Sequence, residues 1–166
     1  SIGADAFSDC SVLTSVTFAD ASNLTSIGAR AFCRCKTLTS IKIPSSVTSI
    51  GFAAFNGCSK LTSIEIPSLV TTIGGTAFEG CTSLTSVTFA DASKLTSLTS
   101  IGDKVFSDCT SLSAVYASEN DKLASALGSS FHYYPANDCT DTTHDTTKPH
   151  YCKTPNSLFK VDGSGN

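Results

Sequence analysis

The chain has 166 residues, of which 40% are hydrophobic and 15% are charged, and its formal net charge is −3. This composition is typical of one globular domain, and the charge is too small and too evenly spread to predict binding to nucleic acid or to an anionic membrane. Apolar runs reach only three or four residues. About 20 are needed to cross a bilayer, so no membrane span is predicted.

One pattern recurs five times from the start of the chain. It consists of Ile-Gly, two variable residues, a small residue, Phe, two variable residues, Cys and, three positions later, Leu. The Ile-Gly pairs begin at positions 2, 27, 50, 73 and 101, so successive repeats are 25, 23, 23 and 28 residues long. The longer repeats carry Ala-Asp-Ala-Ser insertions at 19–22 and 90–93. Since the insertions leave the apolar positions intact, the sequence predicts stacked coils with loops on one face.

Within each repeat, apolar residues alternate with other residues after the recurring Leu, as in Leu38-x-x-Ile41-x-Ile43. This period of two predicts a short strand with one buried face, stacked in parallel on its neighbours. A second pair of apolar residues ends at the Ile of the Ile-Gly pair. It predicts another short strand or extended turn just before the glycine. The glycine itself indicates a positive φ or close packing. The Ala-Phe-x-x-Cys segment has the spacing of one helical or 3₁₀ turn, and the Thr/Ser pairs, such as Thr48-Ser49, are predicted to be solvated strand edges.

The segments from Leu38 to Cys58 and from Leu61 to Cys81 resemble the BspA-like branch of the leucine-rich repeats. The resemblance implies a repeat solenoid of short parallel β-strands and helical or 3₁₀ turns, with about five coils in residues 1–116. Residues 117–166 are then predicted to be a C-terminal cap and a cysteine-containing tail. Proteins of this family are typically secreted or cell-surface proteins, several of them adhesive, but the family does not identify the ligand.

The eight cysteines fall into separate groups. Five occupy one apolar column and are predicted to be buried free thiols, because side chains in register point parallel rather than toward one another: Cys10, Cys35, Cys58, Cys81 and Cys109. Cys33 shares its column with polar residues and is predicted to be exposed. A disulfide between Cys139 and Cys152 is the preferred interpretation of the tail. It would stabilise the fold by about 3 kcal/mol and indicates an oxidising compartment.

The tail also contains a candidate metal cluster formed by Cys139, His144, His150 and Cys152. Its spacings differ from the usual paired steps of zinc sites, and the acidic residues nearby lack the pattern of a calcium loop. A zinc site and unpaired cysteines are therefore the alternatives to the disulfide, and no metal or cofactor is predicted.

Groups for catalysis are hard to assemble from this sequence. All three histidines, His132, His144 and His150, follow the repeats, so no Ser-His-Asp or Cys-His pair can form on the solenoid itself. A phosphate-binding glycine loop and a nucleophile elbow are both missing from the sequence. The chain is therefore predicted not to be an enzyme.

Candidate binding residues lie in the outward column of the predicted strands, which contains Lys42, Glu65 and Tyr116. Lys42 and Glu65 are expected to be neighbours and to form an exposed pair worth well under 1 kcal/mol. Tyr116, together with Tyr133 and Tyr134, has the amphipathic aromatic character of interface anchors. The alternative is that Tyr133 and Tyr134 cover the core of the last coil.

The sequence as a whole favours an extracellular or cell-surface solenoid that binds a protein or glycan ligand and functions in adhesion. Asn23-Leu24-Thr25 is a glycosylation sequon in a predicted loop, usable if the chain is secreted by a eukaryote. The alternative function is a structural subunit that associates end to end with its own copies into a fibre. That alternative follows from a first repeat that begins without a capping segment.

Overall fold

The computed structural model describes residues 1–19, 22–90, 98–117, 132–134 and 150–153. For residues 114, 116–117, 132–134 and 150–153 the description covers the backbone. The strands in this part of the chain are β1 (Ser15–Val16), β2 (Ser26–Ile27), β3 (Ser40–Ile41), β4 (Ser49–Ile50), β5 (Ser63–Ile66), β6 (Thr72–Ile73), β7 (Ser86–Phe89), β8 (Ser100–Ile101), β9 (Ala114–Ala117), β10 (His132–Tyr134) and β11 (His150–Lys153).

All of these strands pair in parallel, and β1 to β9 pair with their counterparts in neighbouring coils. A main sheet has the order β10-β11-β9-β7-β5, a second sheet has the order β2-β4-β6-β8, and β1 pairs with β3. The register joins equivalent repeat positions, for example Ile64 with Val87 and Ile50 with Ile73. The predicted repeat solenoid with parallel strands is therefore confirmed.

The tail adds two strands to the main sheet beyond the fifth coil. Strand β11 pairs with β9, and β10 pairs with β11 rather than directly with β9. Strand β11 therefore lies between β9 and β10, although it follows β10 in the chain. This order was not predicted, because the five-fold pattern found in residues 1–116 does not continue regularly to β11.

The predicted helical or 3₁₀ turn is wrong, because no helix occurs in the described residues. Isolated turns replace it, each closed by a bond such as Cys35 N–H to the Phe32 carbonyl at 3.3 Å. Residues in the left-handed region, including Arg30 (φ 54°) and Arg34 (φ 57°), interrupt the helical conformation. The remaining N–H groups donate to the next coil, as from Phe32 to the Ala54 carbonyl at 2.8 Å. The segment therefore forms a third ladder between coils.

From the second repeat onward, the glycine of the Ile-Gly pair is required by close approach to the preceding coil, and not by a positive φ. A Cβ on Gly74 would lie 2.4 Å from the backbone nitrogen of Phe52, and a Cβ on Gly102 would lie 2.2 Å from that of Gly75. Gly3, in the first coil, has no atom within 4 Å of its equivalent position. The repeated glycine therefore lets one backbone pack directly against the preceding one.

Phenylalanines form the centre of the core. Their rings stack from one coil to the next, with centroid separations of 5.2 to 5.6 Å and interplanar angles of 2° to 9°. The three central rings are fully buried. The members of this stack are Phe7, Phe32, Phe55, Phe78 and Phe106.

The cysteine column beside these rings consists of free thiols, as predicted. From the second coil onward its members are buried, and each thiol donates a hydrogen bond to the carbonyl of the phenylalanine one coil earlier, for example Cys81 to Phe55 at 3.2 Å. Burial raises the pKa of the Cys35 thiol to about 11 and that of Cys58 to about 12. These thiols are therefore protonated donors at neutral pH.

Threonine and serine hydroxyls connect the coils at the surface. Thr85 Oγ1 donates to the Thr62 carbonyl at 3.0 Å, and Thr71 Oγ1 donates to the Thr48 carbonyl at 3.1 Å. The same bond recurs in other coils of both columns. The columns are largely exposed, as predicted, and their hydroxyls also donate hydrogen bonds to backbone carbonyls of the preceding coil.

Candidate binding surface

In the described residues of β5 and β7, the main sheet has one side that faces away from the core. In β5 the residues alternate between exposed and buried, so Ser63 and Glu65 lie outside while Ile64 and Ile66 pack into the core. We call this exposed side the outer face. Because the strands pair in register, one residue from each strand forms a row running across the sheet.

One row of the outer face contains most of the predicted binding positions, and we call it the outer row. Glu65 pairs in register with Thr88, and Thr88 pairs with Tyr116. Tyr116 pairs with Cys152, which pairs with Tyr134. The sheet thus aligns Tyr116 and Tyr134, although 17 residues lie between them in the chain.

Glu65, at one end of this row, is exposed, and so is Lys42, which directly follows β3 outside the main sheet. No ion pair joins them in the part of the chain that the structure describes, where the ion pairs are Arg30 with Asp5 and Arg34 with Asp9. The expected Lys42–Glu65 pair is therefore not formed. Each side chain presents its charge to solvent, available to a partner.

The two observed ion pairs lie in the turn segments of the first two coils. The Arg30 guanidinium is 2.8 Å from the Asp5 carboxylate, and Arg34 is 2.7 Å from Asp9. A hydrogen bond from Arg30 lowers the pKa of Asp5, and one from Arg34 lowers the pKa of Asp9. These pairs were not predicted from the sequence. Comparing equivalent positions of the first two repeats would have revealed opposite charges in both columns.

The remaining predicted tyrosine, Tyr133, occupies a different register position. It pairs with Tyr151, which pairs with Val115, and the Val115 side chain is buried. Tyr133 therefore continues the row of core positions, whereas Tyr134 continues the outer row. The two neighbouring tyrosines belong to opposite faces of the sheet.

Asn23 is exposed in the loop before β2. Leu24, the middle residue of the sequon, packs partly into the core, while Thr25 is exposed. The loop is held by Ser46, whose hydroxyl donates to the carbonyls of Ser22 and Leu24 at 2.9 and 2.8 Å. Asn23 is therefore exposed in a structured loop, and its glycosylation stays a prediction.

Cys33 is buried rather than exposed, with only 7% of its surface accessible. The prediction of an exposed thiol is wrong because the turn segment packs against the next coil, where Arg34 N–H donates to the Asn56 carbonyl. Burial raises the pKa of Cys33. Its thiol is therefore both covered and protonated.

The other residues of the predicted tail cluster are only partly described. Cys139 and His144 lie outside the described residues, so the Cys139–Cys152 disulfide stays a prediction. Among the side chains that the structure does describe, no three His, Cys, Asp or Glu groups come close enough to hold a metal ion. His132 and His150 are register partners on β10 and β11.

Exposed apolar side chains mark three further positions that were not predicted from the sequence, namely Val12 (86% exposed), Phe52 and Leu69. Phe52 is 57% exposed and Leu69 is 51% exposed. Each departs from its repeat column, where the equivalent residues are small or polar, such as Ala29 and Ser46. This difference from the repeat column is the feature by which the sequence could have indicated these exposed residues. In the described part of the chain, no helix is long and apolar enough to span a membrane.

Comparison with protein families matches six copies of the BspA type leucine rich repeat region to residues 1–134. The match extends past residue 116, the predicted end of the repeats, and that boundary stays a prediction. No curated protein matches the chain significantly.

Two solved structures are similar to this chain. One is a leucine rich cell surface protein from Faecalibacterium prausnitzii A2-165, with 34% identity and a TM-score of 0.64 over 76% of this chain and 31% of that protein. The other is a leucine-rich repeat protein from Bacteroides ovatus ATCC 8483, with 28% identity and a TM-score of 0.60 over 89% of this chain and 32% of that protein. The chain spans about a third of the length of each.

Proposed function

This chain belongs to the BspA-type leucine-rich repeat family, and we propose that it is a non-enzymatic, protein-binding solenoid of the cell surface or the extracellular space. The cell-surface protein from Faecalibacterium prausnitzii supports that location. Adhesion to a protein or glycan on another surface is the activity that we assign to it. The ligand contacts are assigned to the outer row.

The observation that carries this proposal is the register of the outer row. Parallel pairing places Glu65, Thr88 and Tyr116 side by side on a sheet whose other face is buried. Neighbouring strands in such a sheet are about 4.8 Å apart, so a ligand meets a rigid, closely spaced row. A preorganised surface loses little conformational entropy on binding.

The composition of the outer row suits a polar partner with aromatic anchors. Lys42 and Glu65 are exposed charges without an ion-pair partner in the described residues, and such rim charges mainly set orientation and association rate. Tyr116 and Tyr134 belong to the residue type enriched at binding hot spots. We expect the tyrosine end of the row to supply most of the affinity.

A binding panel tests the proposal. The full chain is measured against matrix proteins, cell-surface proteins and a glycan array, and then the variants Tyr116→Ala and Glu65→Lys are measured against each ligand found. We expect at least about tenfold weaker binding for Tyr116→Ala. Phe52→Ser and Leu69→Ser, which alter exposed apolar residues elsewhere, serve as controls and should retain wild-type affinity.

Two results would overturn this assignment. A panel without any ligand would remove the adhesive function. A ligand whose binding is lost in Phe52→Ser or Leu69→Ser but is retained in Tyr116→Ala would place the contact surface elsewhere on the solenoid.

A further inference from the structure

Asn56 and Gly57 form the only Asn-Gly step in the sequence, since the other asparagines that have a successor precede leucine, aspartate or serine. The step lies in the turn segment of the third coil, where both residues are half-buried. Gly57 has a φ of 71°. Because glycine has no Cβ, its backbone nitrogen is the least hindered for attack on the carboxamide of the residue before it. The step is therefore the place in this sequence most prone to deamidation.

The two nitrogens that take part in such a reaction both contact Glu79 of the fourth coil. The side-chain nitrogen Nδ2 of Asn56 donates a hydrogen bond to Glu79 Oε2 at 2.9 Å. The backbone N–H of Gly57 donates to the Glu79 carbonyl at 2.7 Å. A carboxylate only accepts hydrogen bonds, which directs the nitrogen of the carboxamide toward it. One residue thus holds both the attacking nitrogen and the leaving nitrogen.

We propose that Asn56 is a site of spontaneous deamidation and that its contacts with Glu79 block the reaction until the third and fourth coils separate. A chain that has opened there carries an aspartyl or isoaspartyl residue at position 56. The modification is independent of the ligand assigned to the outer row.

The reaction needs only water and hydroxide from the solvent. Hydroxide removes the proton of the Gly57 N–H, and the nitrogen attacks Cγ of Asn56. The Cγ–Nδ2 bond breaks, and the leaving nitrogen takes a proton from water and departs as ammonia, which regenerates hydroxide. A succinimide ring remains, and water opens it at either carbonyl to give aspartate or isoaspartate. A water molecule is consumed, an ammonia molecule is released, and nothing is oxidised or reduced.

The folded arrangement opposes the first step of this reaction. A hydrogen bond from the Gly57 N–H to a carbonyl stabilises the protonated nitrogen and disfavours loss of its proton. The carboxamide of Asn56 has to turn toward Gly57, but its contact with Glu79 holds it. On the other side, the Asn56 carbonyl accepts a hydrogen bond from the Arg34 N–H at 2.7 Å. Since the step is tied to the coils on both sides, reaction requires local separation of coils.

The products fit the folded chain poorly. Aspartate at position 56 places a carboxylate oxygen where Nδ2 now lies 2.9 Å from Glu79 Oε2, and like charges at that distance repel. Isoaspartate routes the backbone through the former side chain and displaces the carbonyl that accepts from Arg34. Deamidation therefore favours the open state that allowed it.

Peptide mapping by mass spectrometry tests the proposal on the full chain. Samples are kept folded in mildly alkaline buffer or unfolded in guanidinium chloride at the same pH, and conversion of each asparagine is followed with time. We expect Asn56 to convert at least about tenfold faster in the unfolded chain than in the folded chain. In the unfolded chain it should also react faster than Asn23, which precedes leucine.

Two substitutions at Glu79 isolate the side-chain contact. Glu79→Ala removes the acceptor of Asn56 Nδ2 and should raise the folded-state rate about threefold or more. Glu79→Gln keeps an oxygen acceptor and should retain a slow rate. Glu65→Ala removes a carboxylate elsewhere and should change nothing. All three should match the wild type in guanidinium chloride, and circular dichroism should show a folded chain in buffer.

Asn56→Asp reproduces the aspartyl product and gives a second measurement. At neutral pH its unfolding midpoint in denaturant should be lower than that of the wild type, because two carboxylates then face each other. Adding Glu79→Gln to the same chain removes one of these charges and should recover most of the difference.

Any of three outcomes contradicts the proposal. Equal rates at Asn56 in the folded and unfolded chains would show that the contacts between coils give no protection. A folded Glu79→Ala variant that converts at the wild-type rate would remove Glu79 from the protection. Conversion in guanidinium chloride at other asparagines, with Asn56 intact, would show that Asn56 is not the site.

Discussion

The thiol of Cys58 donates a hydrogen bond to the backbone carbonyl of Phe32, one coil earlier, with a sulfur-to-oxygen distance of 3.1 Å. The same relationship connects Cys35 to Phe7 at 3.1 Å and Cys109 to Phe78 at 3.0 Å. A buried carbonyl left with fewer donors is costly, and a cysteine can satisfy it while filling an apolar site. This explains why the column holds cysteine rather than alanine or valine.

Replacing Cys58 by alanine is expected to lower the free energy of unfolding by about 1–2 kcal/mol, because the core loses both the sulfur and the inter-coil hydrogen bond. Chemical denaturation measures the change. The control is Cys10→Ala in the partly exposed first coil, which should cost less than about 0.5 kcal/mol. Equal losses in the two variants would show that the hydrogen bond to the preceding coil contributes nothing.

Stability is expected to fall in alkaline solution, because burial raises the pKa of Cys58 from 9.0 to about 12. A thiol with a raised folded-state pKa contributes stability that is fully present below the unfolded pKa and is lost as pH rises toward the folded value. The loss should therefore begin near pH 9 and continue toward pH 12. Denaturation midpoints at a series of pH values measure it.

The variant Cys58→Ala isolates this contribution from those of other groups that titrate at high pH. Its unfolding free energy should fall less steeply than that of the wild type, by up to about 1.4 kcal/mol per pH unit. Identical slopes above pH 9 for the two proteins would contradict the assignment to Cys58.

Gly74→Ala is expected to destabilise the fold by about 2–3 kcal/mol, because the new methyl group would meet the Phe52 backbone at 2.4 Å and force the coils apart. Gly3→Ala is the matched control at the same repeat position, where no atom lies within 4 Å. Its effect should stay within about 0.5 kcal/mol. Thermal or urea unfolding of both variants tests the pair, and a tolerated Gly74→Ala would refute the close-approach argument.

Thr85→Val is expected to lower the unfolding free energy by about 0.5–1 kcal/mol, because it removes the hydroxyl that donates to the Thr62 carbonyl. Thr17→Val changes an exposed threonine of the outward column, for which no side-chain hydrogen bond is found in the described residues. That control should be neutral or slightly stabilising, since valine favours strands. Comparison of urea midpoints decides, and a neutral Thr85→Val would mean that water replaces the hydroxyl bond at no cost.

Much of the fold could be predicted because its physical cause is local and repeated. Alternation around Ile64 predicts a strand with one buried face, and recurrence of the same pattern in five repeats predicts parallel stacking. The turn segment was predicted incorrectly for a related reason. The spacing from Phe32 to Cys35 fits a helical turn. Arg30 and Arg34 adopt left-handed φ angles that prevent such a turn, but neither is a glycine, so the sequence does not indicate those angles.

The sequence by itself determined the repeat family, the buried columns and the outward column of the strands, because these depend on the periodicity of apolar residues along the chain. Only the tertiary structure decided the contacts between coils: the ion pairs of Asp5 and Asp9, the burial of Cys33, and the pairing of β11 between β9 and β10. These depend on which backbones come together in space. Beyond residue 134, where the family match ends, the sequence shows no repeat that specifies the neighbour of β11.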